Sequence, residues 1–346
     1  MYRGILKYGA LTTKISGMAG KMLKKEDYLS LSQMKSVPEA VTYIRTKTAY
    51  GECLAGYSGE LHRETLEKML RHSLFKDFAK LKKYITNRKD KEFLNAVMCR
   101  YEIYLLETVI IGCMIEDNTT HLLYDLPEEF EDALSFDAAR VVAARNMSQV
   151  VEALQGSPYE KVLSVLYTRG RTPTLFEIET NLDIFFFRKL WDLIEKQFQG
   201  KSKKYLQETI GTEADLLNVL WIYRCKKYYN LANEHVYALL LPVHYELTTQ
   251  KIRAFVETKS FEEFIQMVKD TKYAKLAEYQ SRWLYEKALM KVLTDLFRKI
   301  RGKDPYSIVT VVGYLYQKEL ELENICSVIE GVRYQIGPEK IMEYVV

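Results

Sequence analysis

Three segments of this chain share one pattern, and this repetition constrains the fold more than any other feature of the sequence. The segments are SVPEAVTYIRTKTAYGECL (36–54), SQVVEALQGSPYEKVL (148–163) and SFEEFIQMVKDTKYAKL (260–276), and they begin about 110 residues apart. Repetition at a fixed period indicates that one structural unit is used several times along a chain. The sequence therefore predicts three similar units.

Each repeated segment opens with a serine that precedes a short apolar helix. Ser36, Ser148 and Ser260 are predicted N-caps, because a serine hydroxyl can accept a hydrogen bond from a free N–H group of the first helical turn. Glu39 and Glu263 lie three residues further on and would complete capping boxes. Each segment then reaches a tyrosine and, shortly afterwards, a leucine. The three tyrosines are Tyr50, Tyr159 and Tyr273.

Apolar residues recur at three- and four-residue spacing over long stretches, which predicts an all-α protein. The chain has only seven prolines, and it shows no series of alternating strands and turns. In each unit the repeated segment is followed by a second and a third long helix. The predicted second helices span 61–81, 178–198 and 283–300, and the third helices span 93–111, 216–240 and 307–330. Three helical domains, 1–120, 121–245 and 246–346, follow from this order.

A charged residue interrupts the apolar stripe of the last predicted helix. Lys318 lies on that stripe, and Arg224 occupies the matching position of the third helix in the second unit. Asn324 and Asn230 also match, six residues later. A catalytic lysine would have no reason to recur as arginine, so we expect two buried structural charges paired with carboxylates such as Glu321 or with carbonyls.

Basic residues cluster between the second and third predicted helices of every unit. The cluster residues are Lys80, Lys82, Lys83, Arg88, Lys89 and Lys91, then Lys201, Lys203 and Lys204, then Arg298, Lys299, Arg301 and Lys303. We expect the pairs Lys82/Lys83, Lys203/Lys204 and Arg301/Lys303 to lie at one end of the molecule and to dock against an acidic surface. The alternative is solvated loops whose lysines favour helix C-termini.

Motifs for catalysis or for cofactor binding are missing from the sequence. It contains no GxxxxGK[ST] or GxGxxG loop for phosphates and no HExxH metal motif, and its five cysteines form no CxxC pair. We therefore predict no catalytic residue, no cofactor and no metal. The start of the chain lacks the apolar run of a signal peptide, and no stretch reaches about 18 apolar residues. These features predict a cytoplasmic protein without a membrane span.

Four stretches of the chain, taken in their order, resemble one known family. They are MLKKEDYLSL (22–31), SVPEAVTYIRTKTAY (36–50), IETNLDIFFFRKLW (178–191) and LYQKELELENICSVIEG (315–331). Together with the length and the threefold repeat, they are similar to the C-type subunits of the V/A-type ATPases (ATP synthases), which are the counterparts of the eukaryotic d-type subunits. The first unit departs from the other two, because Glu102 and Thr108 stand where the basic residue and the asparagine are expected.

The resemblance implies a non-catalytic connector in the central stalk of a rotary ATPase. Members of this family have three similar helical-bundle domains in a funnel-like arrangement with pseudo-threefold symmetry. They lie at the cytoplasmic face of the membrane rotor ring and act as a socket for the central shaft, whose components are of D and F type. The implied partners are the shaft and the ring, and the implied role is to link ATP hydrolysis or synthesis to translocation of H⁺ or Na⁺.

Two other classes of function remain open from the residues themselves. The same repeats would serve in a helical adaptor or scaffold of another multisubunit complex. A nucleic-acid-binding role is poorly supported, because the net charge is only +4 and few aromatic residues accompany the basic turns. Co-purification with rotor components of an ATPase would separate the three classes.

Overall fold

A computed structural model describes residues 2–55, 62–116, 119, 122, 126, 128–131, 133–167, 173–229, 231–278 and 282–346 of the chain. Within these ranges every regular element is a helix, which confirms the predicted all-α class. None of the helices in these ranges is both long enough and apolar enough to cross a bilayer. The α-helices are α1 (Tyr2–Ala19), α2 (Lys25–Ser32), α3 (Val37–Lys47), α4 (Arg63–Lys82), α5 (Arg88–Met114), α6 (Glu128–Glu131), α7 (Ala138–Val142), α8 (Met147–Ala153), α9 (Glu160–Tyr167), α10 (Leu175–Gln197), α11 (Gly200–Arg224), α12 (Asn233–Leu239), α13 (Thr249–Glu257), α14 (Phe261–Lys269), α15 (Arg282–Lys303), α16 (Ile308–Arg333) and α17 (Pro338–Glu343).

One predicted helix is wrong in its position. The sequence predicts a helix over 216–240, whereas α11 begins sixteen residues earlier and ends at Arg224. A π-helical turn, Cys225–Tyr229, follows it, and α12 is separate. The middle of α11 buries polar residues, and these interrupt the apolar periodicity from which helices are predicted. The buried polar residues of α11 are Thr209, Thr212, Glu213, Asp215 and Asn218.

The chain divides into two compact units. The first comprises Met1–Asn87, Asp125–Asp132 and Thr294–Val346, and the second comprises Arg88–Tyr124 and Ala133–Leu293. The first unit therefore joins the beginning of the chain to its end. The division into three domains at 1–120, 121–245 and 246–346 stays a prediction.

The first unit is built around α16, a helix of 26 residues. Helices α1, α2, α3, α4 and α17 all pack against it. The contact with α17 is close, because a Cβ atom on Gly331 would lie 2.6 Å from the side chain of Ile341. Most of α16 is buried on all sides, as a central helix must be.

The second unit contains the other two long helices, α5 with 27 residues and α11 with 25. Helix α10 packs against both of them. Helix α5 also contacts α7 and α8, and α11 contacts α12 and α13. Gly211 on α11 lets the chain after α12 approach, since a Cβ atom there would lie 2.5 Å from Tyr245 Cβ. Each of these long helices therefore carries short helices on its flank.

The N-caps of the short helices agree with the prediction at two of the three positions. Ser36 Oγ accepts from the Glu39 amide at 3.4 Å, and Ser260 Oγ accepts from the Glu263 amide at 3.1 Å. Ser148 is wrong as a cap, because α8 begins one residue before it. The cap of α8 is Asn146, whose Oδ1 accepts from the Gln149 amide at 3.0 Å.

The three helix starts nevertheless share one hydrogen-bond pattern. The side chain three residues after each cap returns a bond to the backbone N–H before the cap. The pairs are Lys35 N to Glu39 Oε2 at 2.9 Å, Arg145 N to Gln149 Oε1 at 2.7 Å and Lys259 N to Glu263 Oε2 at 2.8 Å. Asparagine and glutamine replace serine and glutamate in the second segment with the same geometry.

We expect Asn146→Ala to destabilise the protein by about 1 kcal/mol, because a free N–H of α8 loses its acceptor. Ser148→Ala is the matched control two residues away, and its exposed side chain predicts a change within about 0.5 kcal/mol. Urea denaturation of both variants measures the difference. An equal loss in the two variants would show that Asn146 is not the cap.

Candidate functional site

The tyrosines of the three repeated segments each donate a hydrogen bond to a buried carboxylate on a long helix. Every tyrosine side chain is at least 97% buried. The acceptors belong to α16, α5 and α11. The pairs are Tyr50 Oη with Glu321 Oε2 (first contact), Tyr159 Oη with Glu102 Oε2 at 2.5 Å (second contact) and Tyr273 Oη with Asp215 Oδ2 at 2.8 Å (third contact).

Each of these carboxylates also accepts a backbone N–H from the loop that precedes the first short helix. The amide lies two or three residues before α2, α7 or α13. The bonds are Leu23 N to Glu321 Oε1 at 2.5 Å, Ser135 N to Glu102 Oε1 at 2.8 Å and Glu246 N to Asp215 Oδ2 at 2.8 Å. One carboxylate therefore holds both ends of a pair of short helices against a long helix.

The tyrosine backbone is fixed in the same way in all three segments. A hydroxyl two residues earlier accepts the tyrosine N–H, which forms a local turn. The acceptors are Thr48 at 3.2 Å from Tyr50 N, Ser157 at 3.3 Å from Tyr159 N and Thr271 at 3.0 Å from Tyr273 N. Sequence inspection missed these hydroxyls, although they stand at one fixed offset from each tyrosine.

Lys318 belongs to the first contact. Its side chain is only 6% exposed, and Nζ donates to Tyr50 Oη at 2.7 Å and to Glu321 Oε2 at 3.3 Å. The ammonium also lies 4.0 Å from the centroid of the Tyr50 ring. The charge on the stripe of α16 is therefore buried and paired with the carboxylate that holds the tyrosine.

The other two contacts place different groups at the position of Lys318, which is three residues before the carboxylate. Cys99 occupies this position on α5, and Thr212 occupies it on α11. Lys189 of α10 donates to Cys99 Sγ at 3.0 Å, so a cation from another helix reaches the second contact. In the third contact, backbone amides supply the additional donors to Asp215.

Arg224 is not the counterpart of Lys318. It lies at the end of α11, nine residues after the buried carboxylate Asp215, and it is only half-buried. Its guanidinium carbon lies 5.0 Å from the centroid of the Trp221 ring. The predicted equivalence is wrong because the predicted helix 216–240 began too late. Asn230, the expected partner of Asn324, lies outside the described residues.

The true counterpart of Asn324 is Asn218. Each asparagine follows its buried carboxylate by three residues, and each bonds both backbone groups of a distant residue. Asn324 bonds N and O of Val346 at 3.1 and 3.2 Å, and Asn218 bonds N and O of Leu241 at 2.7 and 3.2 Å. The recurring unit of α11 and α16 is therefore an acidic residue followed by asparagine three positions later.

Burial raises the pKa of all three tyrosines well above the ordinary value for a phenol, and the nearby carboxylates raise it further. Burial also raises the pKa of Asp215, although hydrogen bonds from the Glu246 amide and the Tyr273 hydroxyl oppose the change. The phenols therefore stay protonated at neutral pH and act as hydrogen-bond donors. This arrangement fixes helices and offers no proton for acid–base catalysis.

Acidic residues also face each other across α5 and α10. Burial raises the pKa of Glu107 to about 7, with repulsion from Asp183 and Glu179 as further causes. Burial raises the pKa of Asp183 to about 6, against the attraction of Arg100. The Arg100 guanidinium is already 2.6 Å from Glu213. Glu107 therefore holds a proton in the folded protein at a pH where a free carboxyl has lost it.

The six basic residues of the predicted docking pairs differ in their surroundings. Lys203 Nζ lies 2.7 Å from Glu195 Oε2, Arg301 donates to Ser16 Oγ at 3.1 Å, and Lys82 Nζ lies 5.8 Å from the ring centroid of Phe78. The second member of each pair is exposed. These exposed members are Lys83, Lys204 and Lys303.

The described residues contain no group of three or more histidine, cysteine, aspartate or glutamate side chains that could hold a metal ion. Among the described residues, the buried polar groups that recur include the three tyrosine contacts and the two asparagines. The candidate functional site is therefore a set of structural contacts, together with the exposed lysines of the basic turns.

Comparison with known proteins shows that the chain is similar to one group of proteins. The sequence model described as "ATP synthase (C/AC39) subunit" matches residues 11–344. The C-type subunit of the A-type ATP synthase of Methanosphaera stadtmanae is 22% identical over 340 residues, which cover 94% of this chain and 84% of that protein. The corresponding protein of Methanosarcina acetivorans is 23% identical over 353 residues, which cover 99% of this chain and 94% of that protein.

Replacement of Lys318 by methionine is expected to lower the free energy of unfolding by about 3–5 kcal/mol, because it leaves the buried Glu321 carboxylate without its charge partner. The matched control is Arg224→Met, which removes a half-buried charge at a helix end and should have an effect of about 1 kcal/mol or less. Urea denaturation measures both. Equal stability of Lys318→Met and the unchanged protein would contradict a structural role for this lysine.

The raised pKa of Glu107 predicts that the stability of the protein depends on pH. Because its pKa is raised in the folded state, its folded form binds a proton between pH of about 4.5 and about 7 that the unfolded form releases. Stability should therefore fall as the pH rises through this window. Glu107→Gln should unfold at higher urea than the unchanged protein at pH 8 and show no such gain at pH 5. The exposed Glu152→Gln is the control, and a gain that is independent of pH would contradict the assignment.

Proposed function

Because the chain belongs to the ATP synthase (C/AC39) subunit family, we propose that it connects the central shaft of a rotary ATPase to the membrane rotor ring. The chain is a non-catalytic subunit of the rotary complex. In the proposed role it receives the shaft components of D and F type on one side and the ring on the other. Torque then passes through it, and ATP hydrolysis or synthesis is linked to movement of H⁺ or Na⁺.

The observation that carries this proposal is the set of three buried tyrosine contacts. Torque passes through a connector only if its helices do not slide against each other. Each contact fixes two short helices to a long helix by hydrogen bonds to a desolvated carboxylate, and such bonds depend strongly on position. The first contact joins residues 271 positions apart, so it also prevents the two ends of the chain from separating.

The proposal includes a location and an arrangement. The chain would lie at the cytoplasmic face of the membrane, bound to the ring from outside the bilayer. Three helical domains, 1–120, 121–245 and 246–346, would form a funnel with pseudo-threefold symmetry that receives the shaft. The repeated contacts support the idea of three similar domains, since each of the three predicted domains supplies one tyrosine and one carboxylate.

Removal of the chain from the assembled ATPase tests the coupling role. In a complex reassembled without it, the head should still hydrolyse ATP, but ion transport into ring-containing vesicles should fall to the level of leakage. Adding the purified chain back should restore transport. If transport were unchanged without the chain, the connector role would be wrong, and a helical adaptor that binds outside the torque path would be favoured.

The basic turns supply the proposed docking contacts. Lys83, Lys204 and Lys303 are exposed, and the described part of the chain shows no carboxylate paired with any of them. Exposed charges of this kind steer and orient an acidic partner surface, although each one contributes little on its own. Lys82, Lys203 and Arg301 would contribute less to docking, because each already contacts a neighbouring side chain.

We expect the variant Lys83→Glu/Lys204→Glu/Lys303→Glu to bind isolated shaft proteins or ring-containing membranes at least about tenfold more weakly at low salt. The difference should shrink as ionic strength rises, because salt screens exposed charges beyond about 8 Å at 0.15 M. The control is Lys251→Glu/Lys259→Glu/Lys340→Glu, which changes the net charge equally at other exposed lysines. Unchanged affinity for both partners would show that the basic turns are only a solvated surface and have no role in docking.

A further inference from the structure

We propose that a lysine-rich cleft in the first compact unit, the one built around α16, binds an anion that carries two or more phosphate groups. The cleft has a volume of about 840 Å³, and its lining comes from α1, α2, α3, α4, α16 and the loops between them. Its described wall carries seven lysines and four carboxylates. They are Lys14, Lys21, Lys24, Lys47, Lys76, Lys80 and Lys318, with Glu26, Asp27, Glu52 and Asp77. An excess of one charge in a concave site concentrates ions of the opposite charge.

Asp27 is already engaged within the wall. It accepts the Lys24 backbone N–H at 2.8 Å and the Tyr43 hydroxyl at 3.0 Å. Its carboxylate therefore contributes to the capping of α2, and its two acceptor contacts are with neutral donors rather than with a lysine ammonium group. Seven lysines and four carboxylates leave the described wall with three more positive than negative groups.

Asp77 is engaged in the same way. It accepts the Tyr314 hydroxyl at 2.6 Å and lies 3.5 Å from the Lys80 ammonium. Only Glu26 and Glu52 remain as exposed acidic groups in the described wall. Four carboxylates cannot balance the charge of seven lysines that reach the cavity from several elements.

Five of the lysines, Lys24 among them, have no carboxylate partner for the ammonium group in the described part of the chain, and four of these five lie on separate elements. Lys14 lies on α1, Lys21 lies in the turn that follows it, Lys47 ends α3, and Lys76 lies on α4. Lys14 and Lys76 are half-buried. Four separate backbone elements thus present ammonium groups to one cavity, which is the arrangement that a ligand with several negative groups requires.

The floor of the cleft contains a further donor. Lys318 lines the cavity, although its side chain is only 6% exposed. An ammonium group has three N–H donors. Two of them have acceptors in Tyr50 and Glu321, and the described residues offer no acceptor to the third. A buried donor of this kind gains from an oxygen acceptor inside the cavity.

The class of ligand follows from the size and chemistry of the wall. Sites for small molecules commonly measure about 300–1,000 Å³, so the cleft has room for more than one phosphate group. A single phosphate cannot span lysines on four elements, whereas a chain of phosphates can. Lysine binds phosphate as a point charge, and Tyr314 is the only aromatic residue among the described lining, which favours recognition of charge over recognition of a base.

Calorimetric titration of the full chain with inorganic tripolyphosphate at low salt tests the proposal. We expect saturable binding of one ligand per chain, at least about tenfold tighter than that of orthophosphate, with an affinity that falls as salt rises. Lys47→Gln/Lys76→Gln should weaken the binding at least about tenfold, because two charge-assisted contacts are lost. Lys251→Gln/Lys259→Gln, with the same change in charge at exposed positions elsewhere, should leave it unchanged.

Two further probes identify the source of the phosphates. ATP without magnesium tests a soluble ligand, and vesicles that contain phosphatidylinositol bisphosphate, compared with vesicles that contain phosphatidylserine, test a lipid headgroup. Stronger binding of either probe assigns the source, and the Lys47→Gln/Lys76→Gln variant should weaken it equally.

Three results would overturn the proposal. They are tripolyphosphate binding no tighter than orthophosphate, an equal loss in the control variant, and displacement of tripolyphosphate by a glutamate-rich peptide of equal affinity. The last result would assign the cleft to an acidic protein segment. None of these measurements requires a rotary complex, so their outcome is separate from that of the coupling experiment.

Discussion

The fold depends on three carboxylates that are held away from water in the middle of long helices. A desolvated carboxylate is unfavourable unless several donors surround it, so each one determines where a backbone amide and a tyrosine hydroxyl must lie. The short helices lie between these two donors along the chain. Their position on the long helix is therefore set by hydrogen bonds of fixed geometry, and apolar packing fills the space around them.

The contacts also explain how the ends of the chain come together. The tyrosines of the second and third segments bind the long helix that precedes them, at sequence separations of 57 and 58 residues. No long helix with a buried carboxylate precedes the first segment in the described residues, and its tyrosine binds α16 near the C-terminus instead. The same contact is thus made within about 60 residues in two cases and between distant parts of the chain in the third.

The all-α class and the repeated tyrosines could be predicted from the sequence because helical periodicity and a fixed spacing are local signals. Partners such as Glu102 and Asp215 could not, since a carboxylate on a helix usually marks an exposed face, and only the tertiary structure shows that these two are buried. The same polar residues obscured the start of α11 and produced the false match of Arg224 with Lys318. Ser148 failed as a cap for a similar reason, because Asn146 offers an equivalent acceptor two residues earlier.

The long helices also show how the repeated unit tolerates change. Glu116 and Gln335, which follow the ends of α5 and α16, adopt left-handed φ angles of 58° and 53°, each fourteen residues after the buried carboxylate. In α11 the same distance falls on Tyr229, the last residue of the π-helical turn that follows the helix. The donor beside each tyrosine varies as well, from a lysine on the same helix to a lysine on α10. The three contacts of this chain therefore share the carboxylate and the tyrosine, because a buried charge cannot stay unpaired, and differ at the positions where another group can supply the donor.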